Sequence, residues 1–300
     1  MTDLHVEERM LDLLGARVHW ADFGGPQEPA ALCVMVHGLG GATVNWEALA
    51  AHLTDRFHCV ALDLVGFGRT HPGDRRGGVV DNTDLLGAFV DSVRPDGVPL
   101  VLVGNSMGGL ITARYAVTRP DGLAGVVLLD PALPPPRPVP GPGALAAVGV
   151  YGIPAVGTAF SRARRQLRTP EQSVLDTLRL CTTDPAGIES DVIDRHVELA
   201  KVRLAHPELD RYYADATRSI FGLLARRDQA DAVYADIPAP VLLVHGTHDR
   251  LVPFASALRT ARLNPRWRFR PAGGRGHLPM LEEPRWLAAQ VRSWWDDTRA

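Results

Sequence analysis

Five short runs of almost unbroken apolar residues punctuate the chain: Ala31–Val36 (ALCVMV), Cys59–Leu64 (CVALDL), Pro99–Val103 (PLVLV), Gly125–Asp130 (GVVLLD) and Pro240–Gly246 (PVLLVHG). Runs of this length without polar alternation predict strands covered on both faces, the habit of parallel sheets. Helical patterns lie between and after them, at Asn45–Asp55, Asp81–Val93, Ser106–Pro120 and Glu283–Asp297. Leu13–Gly24 reads as an opening antiparallel hairpin, and Trp267–Gly273 as a weaker last edge strand. Strands that alternate with helices predict an α/β fold around a mostly parallel, doubly wound sheet.

The alternation breaks once. After Asp130 comes PALPPPRPVPGPG, too rich in proline for either regular element. The next hundred residues read as helices without strands until DIPAPVLLVHG resumes the sheet. This predicts a core domain over 1–133 and 236–300, with a helical cap or lid inserted over 134–235.

Within the insertion, Pro138–Ser161 carries no charge and is long enough to span a bilayer. Its four prolines and five glycines would leave backbone groups unsatisfied in lipid, so no stable membrane span is expected. Leu145, Val148, Val150, Tyr151, Ile153, Val156 and Phe160 either line a substrate pocket or simply pack the cap on the sheet; both readings stay open. Arg162, Arg164, Arg165 and Arg168 follow, offering peripheral contact with an anionic membrane surface or, the favoured reading, a solvated helix face.

Composition narrows the function classes. The 300 residues carry a formal net charge of −2, without the basic excess of a nucleic-acid binder. Cys33, Cys59 and Cys181 form no paired framework, which suits a reduced cytoplasm. The early acids and the lack of a sustained apolar core at the N-terminus argue against a secretory signal, so a cytoplasmic location is expected. No His, Cys or carboxylate cluster has metal-ligand spacing, so neither metal nor cofactor is implied. Oligomeric state has no signature in the sequence.

The candidate chemistry sits after the strands, where open parallel sheets bind ligands. Val36 leads into His37-Gly38-Leu39-Gly40-Gly41, and Val103 into Gly104-Asn105-Ser106-Met107-Gly108. The strand ending near Val244 leads into HGTHDRLVP with Asp249, and the last strand into GGRGHLPMLEEP with His277. Serine, acid and histidine therefore fall in loops on one sheet edge. A serine hydroxyl needs a base, and an imidazole base needs an acid to fix its tautomer. Glycines 104 and 108 suit a sharp turn with a closely packed helix. Asp130 is the weaker candidate acid, and His248 a weaker base than His277. Asp63 reads as a structural turn residue, His37 and His245 as buried and satisfied, and Glu282 as favouring the start of the last helix. A dinucleotide site at HGLGGATV is disfavoured, because Thr43 stands where close packing asks for Gly or Ala.

The pieces HGLGG, DLVGFGRT, GNSMGG, HGTHDRLVP and GHLPMLEEP resemble the α/β-hydrolase fold superfamily, of the capped esterase and lipase-like type. The resemblance covers about residues 13–133 and 236–298 and is weak across the cap. It implies Ser106 as nucleophile, Asp249 as triad acid and His277 as base, with the backbone N–H groups of Leu39 and Met107 as the oxyanion hole. The expected activity is cofactor-free hydrolysis of small carboxylic esters with an apolar acyl or alcohol part. Carbon–carbon hydrolysis of ring-cleavage products is the alternative. Against it, HGLGGA lacks that family's proline and Leu278 stands where a tryptophan is usual. A triad-bearing ligand receptor with little turnover, and a cyanohydrin lyase or peroxide-forming enzyme, share the same three residues.

Overall fold

A computed structural model of the chain describes residues 4–136 and 166–299. Its centre is an eight-stranded sheet. The strands are β1 Glu7–Leu13, β2 Ala16–Gly24, β3 Leu32–Val36, β4 His58–Leu62, β5 Leu100–Asn105, β6 Leu123–Leu129, β7 Val241–Gly246 and β8 Arg268–Ala272. Their spatial order is β1-β2-β4-β3-β5-β6-β7-β8, with β1 and β2 antiparallel to their neighbours and the other six strands parallel.

The unbroken apolar runs serve both faces. Val34, Leu102, Leu128 and Leu243 join one buried layer, while Met35, Val103, Val127 and Val244 join the other. This follows from the two-residue period of a strand. The first layer packs under helices α2 (Val79–Val93) and α3 (Met107–Thr118). The second packs under α1 (Glu47–Ala50) and the C-terminal helix, where Trp294 and Trp295 are nearly fully buried.

Two expectations need correction. The hairpin begins at Glu7 rather than Leu13, because the first four residues of the edge strand β1 (EERMLDL) are exposed and pair through their backbone, and only Leu11 and Leu13 at its end reach the core. The first helical pattern is also shorter than Asn45–Asp55. A 3-10 turn over Thr43–Trp46 precedes α1, and the chain after Ala50 closes in turns.

Between β6 and β7 the described residues form α4 Pro170–Cys181, α5 Ser190–Leu204, α6 Asp210–Ala225 and α7 Arg227–Ala235, with no strand. Thr169 caps α4, accepting a bond from the Gln172 N–H while Gln172 bonds back to the Thr169 N–H. After β7 follow α8 Phe254–Leu263, β8, α9 Pro279–Glu282 and α10 Pro284–Asp297. The candidate pocket residues Leu145, Val148, Val150, Tyr151, Ile153, Val156 and Phe160, with Arg162, Arg164 and Arg165, lie outside the described residues. Arg168 is half exposed and pairs with Asp176 at 3.2 Å. Among the described residues no helix is long and apolar enough to cross a membrane.

Candidate active site

Ser106 stands at the turn from β5 into α3 with φ 53° and ψ −118°. A non-glycine residue there is strained, and such strain persists only where the surroundings over-determine it. They do so here. The Ser106 N–H donates to the Leu129 carbonyl at 3.0 Å, and its own carbonyl accepts from Ala132 N–H at 2.9 Å. The glycines flanking it let α3 settle onto the sheet: a Cβ on Gly104 would lie 2.5 Å from the Gly108 carbonyl oxygen, and one on Gly108 2.1 Å from that of Val36.

Asp249 and His277 come from the loops after β7 and β8. The His277 Nδ1–H donates to Asp249 Oδ2 at 2.7 Å. Asp249 Oδ1 accepts from the N–H groups of Leu251 and Val252 at 2.7 and 3.0 Å. Burial acts to raise the pKa of this carboxyl, but the imidazoles of His277 and His245 outweigh it and hold it well below the ordinary carboxylate range. The loop that carries His277 is tied on three sides. Its own N–H donates to the Cys181 carbonyl at 2.6 Å, and its carbonyl accepts from Asn105 Nδ2 at 3.0 Å. Glu282 accepts from Gly276 N–H at 2.8 Å and from the N–H and hydroxyl of Thr183 at 2.9 and 2.8 Å.

Ser106 and His277 both line a cavity of about 1250 Å³, together with Leu39, Gly40 and, from the helical insertion, Leu178 and Phe221. Leu39 lies in a turn closed by Gly41 N–H to the Gly38 carbonyl at 3.0 Å. Beside it His37 is fixed as one tautomer: Nδ1–H donates to the Gly38 carbonyl at 2.7 Å, and Nε2 accepts from Leu64 N–H at 3.0 Å. Burial lowers its pKa, so it stays neutral and structural. Met107 opens α3, in the turn whose N–H groups have no acceptor within the helix.

The remaining candidates separate cleanly. Asp63 accepts from Thr43 N–H, Arg69 N–H and His19 at 2.7 to 2.8 Å, the turn role expected of it. His248 is exposed and bonds Thr247. Glu282 departs from expectation, since it ends α9 and clamps the His277 loop instead of favouring the start of α10. His245 is buried, yet its Nδ1 has no partner among the described residues, so it is not the satisfied residue expected. Asp130 is buried behind Asp249 rather than beside His277. Asn105 was not among the candidates; its signal was a polar residue at the end of an apolar strand.

The family model of the Alpha/beta hydrolase family matches residues 33–290. A lipase, LipV of Mycobacterium tuberculosis, is 38% identical over 109 residues, covering 36% of this chain and 40% of that protein. This match and others like it thus span only 31% to 40% of their relatives' length. A 2-hydroxy-6-oxo-2,4-heptadienoate hydrolase of Pseudomonas putida is 26% identical over 95% of both chains. Among solved structures, a membrane phospholipase A described as a bacterial virulence factor superposes with a TM-score of 0.74 at 24% identity, over 98% of this chain and 87% of its own. At that identity the likeness concerns the fold.

Proposed function

The chain belongs to the alpha/beta hydrolase family, and from that premise we propose that it is a serine hydrolase of carboxylic esters with an apolar acyl or alcohol part. One observation carries the reading: a strained serine faces the same cavity as an imidazole held at 2.7 Å by a buried carboxylate. Ser106 Oγ attacks the ester carbonyl while His277 Nε2 takes its proton. Asp249 keeps the Nδ1 proton in place and stabilises the cation that forms. The N–H groups of Leu39 and Met107 receive the oxyanion, with each such donor worth about 3 kcal/mol. His277 then protonates the leaving alcohol, and water activated by the same imidazole releases the acid. The cavity wall drawn from the helical insertion, Leu178, Leu199, Ile220 and Phe221 among it, supports an apolar substrate part.

The test is burst-phase kinetics over p-nitrophenyl esters of increasing acyl length. A burst followed by steady turnover is expected, and no turnover at any length overturns the reading. Carbon–carbon bond hydrolysis is the second reading, favoured by the near full-length match to the heptadienoate hydrolase. Turnover of such a dienoate above that of every ester would select it.

A further inference from the structure

Behind Asp249 lie two buried titratable groups that the proposed mechanism does not use. Asp130 ends β6 with φ 43°, a second strained non-glycine residue, and its side chain is fully buried. Its Oδ1 accepts from Gly246 N–H at 2.7 Å, while Oδ2 is buried with no partner among the described residues. His245, at the end of β7, places Nε2 at 2.9 Å from the Val252 carbonyl, 3.4 Å from Asp249 Oδ2 and 3.7 Å from Asp130 Oδ1. One ligating atom from each of Asp130, His245 and Asp249 falls within 4.8 Å of the others.

We propose that Asp130 is a positioning residue that holds a proton on Oδ2 and donates it to the Asp249 carboxylate, so that two buried acids carry one negative charge. The proposal rests on the reading of Asp249 as the acid behind His277. Two carboxylates this close, away from water, cannot both ionise cheaply. Asp249 keeps the charge because three donors hold it, namely two backbone N–H groups and His277. Asp130 has a single backbone donor and an orphaned oxygen. A proton on that oxygen supplies the donor the pair lacks. In agreement, burial, with the Asp249 charge behind it, pushes the Asp130 carboxyl well up.

The titratable groups facing Asp130 are His245 and Asp249, with His277 beyond Asp249. Burial acts to lower the His245 pKa, but the neighbouring Asp130 and Asp249 carboxyls outweigh it and leave it raised. An imidazolium would nonetheless bury an Nδ1–H with no acceptor, whereas the neutral ring donates from Nε2 to Val252. The same spacing suits a metal ion, but the nitrogen nearest the carboxylates is the one that keeps its proton for Val252.

Infrared difference spectroscopy at neutral pH, parent against Asp130→Asn, reads the proton directly. The C=O stretch of a protonated carboxyl is expected to vanish in the variant; a difference spectrum without that band overturns the proposal. Asp130→Ala should lower kcat/KM about tenfold, move its acid limb and shift the low-field resonance of the His277 Nδ1 proton. Asp130→Asn, whose amide donates to Asp249 and accepts from Gly246, should recover activity to within about threefold and restore the resonance. An Asn variant as inactive as Asp249→Asn would mean that Asp130 acts as an anion and would overturn the proposal. The infrared band and the resonance need no substrate. If both behave as expected while no ester is turned over, the shared proton stands and the esterase reading falls.

Discussion

The side-chain amide of Asn105 donates to the carbonyls of Leu129 and His277, at 3.1 and 3.0 Å, and so joins the residue before the nucleophile candidate to the loop of the base candidate. The end of β5 and the loop of the base candidate thereby become one assembly, with Asn105 itself nearly fully buried. Asn105→Ala should cost about 1–3 kcal/mol, chiefly through the His277 carbonyl, which loses its donor while the Leu129 carbonyl keeps the Ser106 N–H. Asn105→Asp should cost more, since it sets a carboxylate against both. Urea melts paired with kcat measurements check the order, and equal stability for the two variants would refute the account.

Ser106→Ala should lower kcat by about a millionfold if the serine forms the acyl-enzyme. Ser106→Gly should be equally inactive yet more stable than Ser106→Ala by about 1 kcal/mol, because glycine adopts φ 53° without strain. Comparing the melts of two inactive proteins separates backbone strain from chemistry.

Gly108→Ala should destabilise the fold by about 3 kcal/mol, since the added Cβ meets the backbone oxygens of Val36 and His37 at 2.1 and 2.5 Å. Neither is the end of a flexible side chain. A variant with the parent melting temperature would mean that α3 has slack the packing does not show.

Asp130 and Asp249 should act on stability with opposite signs of pH dependence. The Asp249 pKa is lowered on folding, so its stabilisation is present above the unfolded carboxylate value, about 3.9, and is lost only as pH falls through the lower folded value. The Asp130 pKa is raised, so above about pH 3.9 the unfolded chain releases a proton that the native state retains. Its contribution is greatest below that pH and declines as pH rises towards the folded value. Asp130→Asn removes the decline. Relative to the parent it should gain up to about 1.4 kcal/mol per pH unit above pH 4, measured by urea unfolding at successive pH values.

Glu282→Ala should free Gly276 and Thr183 together, costing about 2 kcal/mol and lowering kcat more than it raises KM. Thr183→Ala, which removes the hydroxyl and leaves the Thr183 N–H bond to Glu282, should do less of both. Kinetics on the pair checks the ranking.

The parallel strands were legible because burial on both faces demands unbroken apolar runs, and Val34 and Met35 serve opposite layers from one run. The edge strand Glu7–Leu13 was not, because backbone pairing alone leaves no mark in composition. Ser106, Asp249 and His277 could be picked out because each follows a strand. What holds them could not: the Asn105 bond spans 172 positions and the Glu282 bond to Thr183 spans 99, and no local pattern encodes partners that only the topology brings together. The roles of Asp130 and His245 were hidden for the same reason, since a buried pair and a solvated one look alike in sequence.

The bond from His277 N–H to the Cys181 carbonyl makes the last residue of α4 part of the scaffold under the base candidate. Gly276 sits so close beneath it that a Cβ would lie 2.4 Å from the same oxygen. The helical insertion is therefore not an interchangeable lid. A chimera that imports another protein's insertion to change substrate range must also import a carbonyl at this point, or the imidazole will lose its footing along with its old pocket. Loop shuffling in this chain has a natural seam just after Thr183, whose N–H and hydroxyl also hold Glu282, and grafts cut on its other side should cost turnover before they alter selectivity.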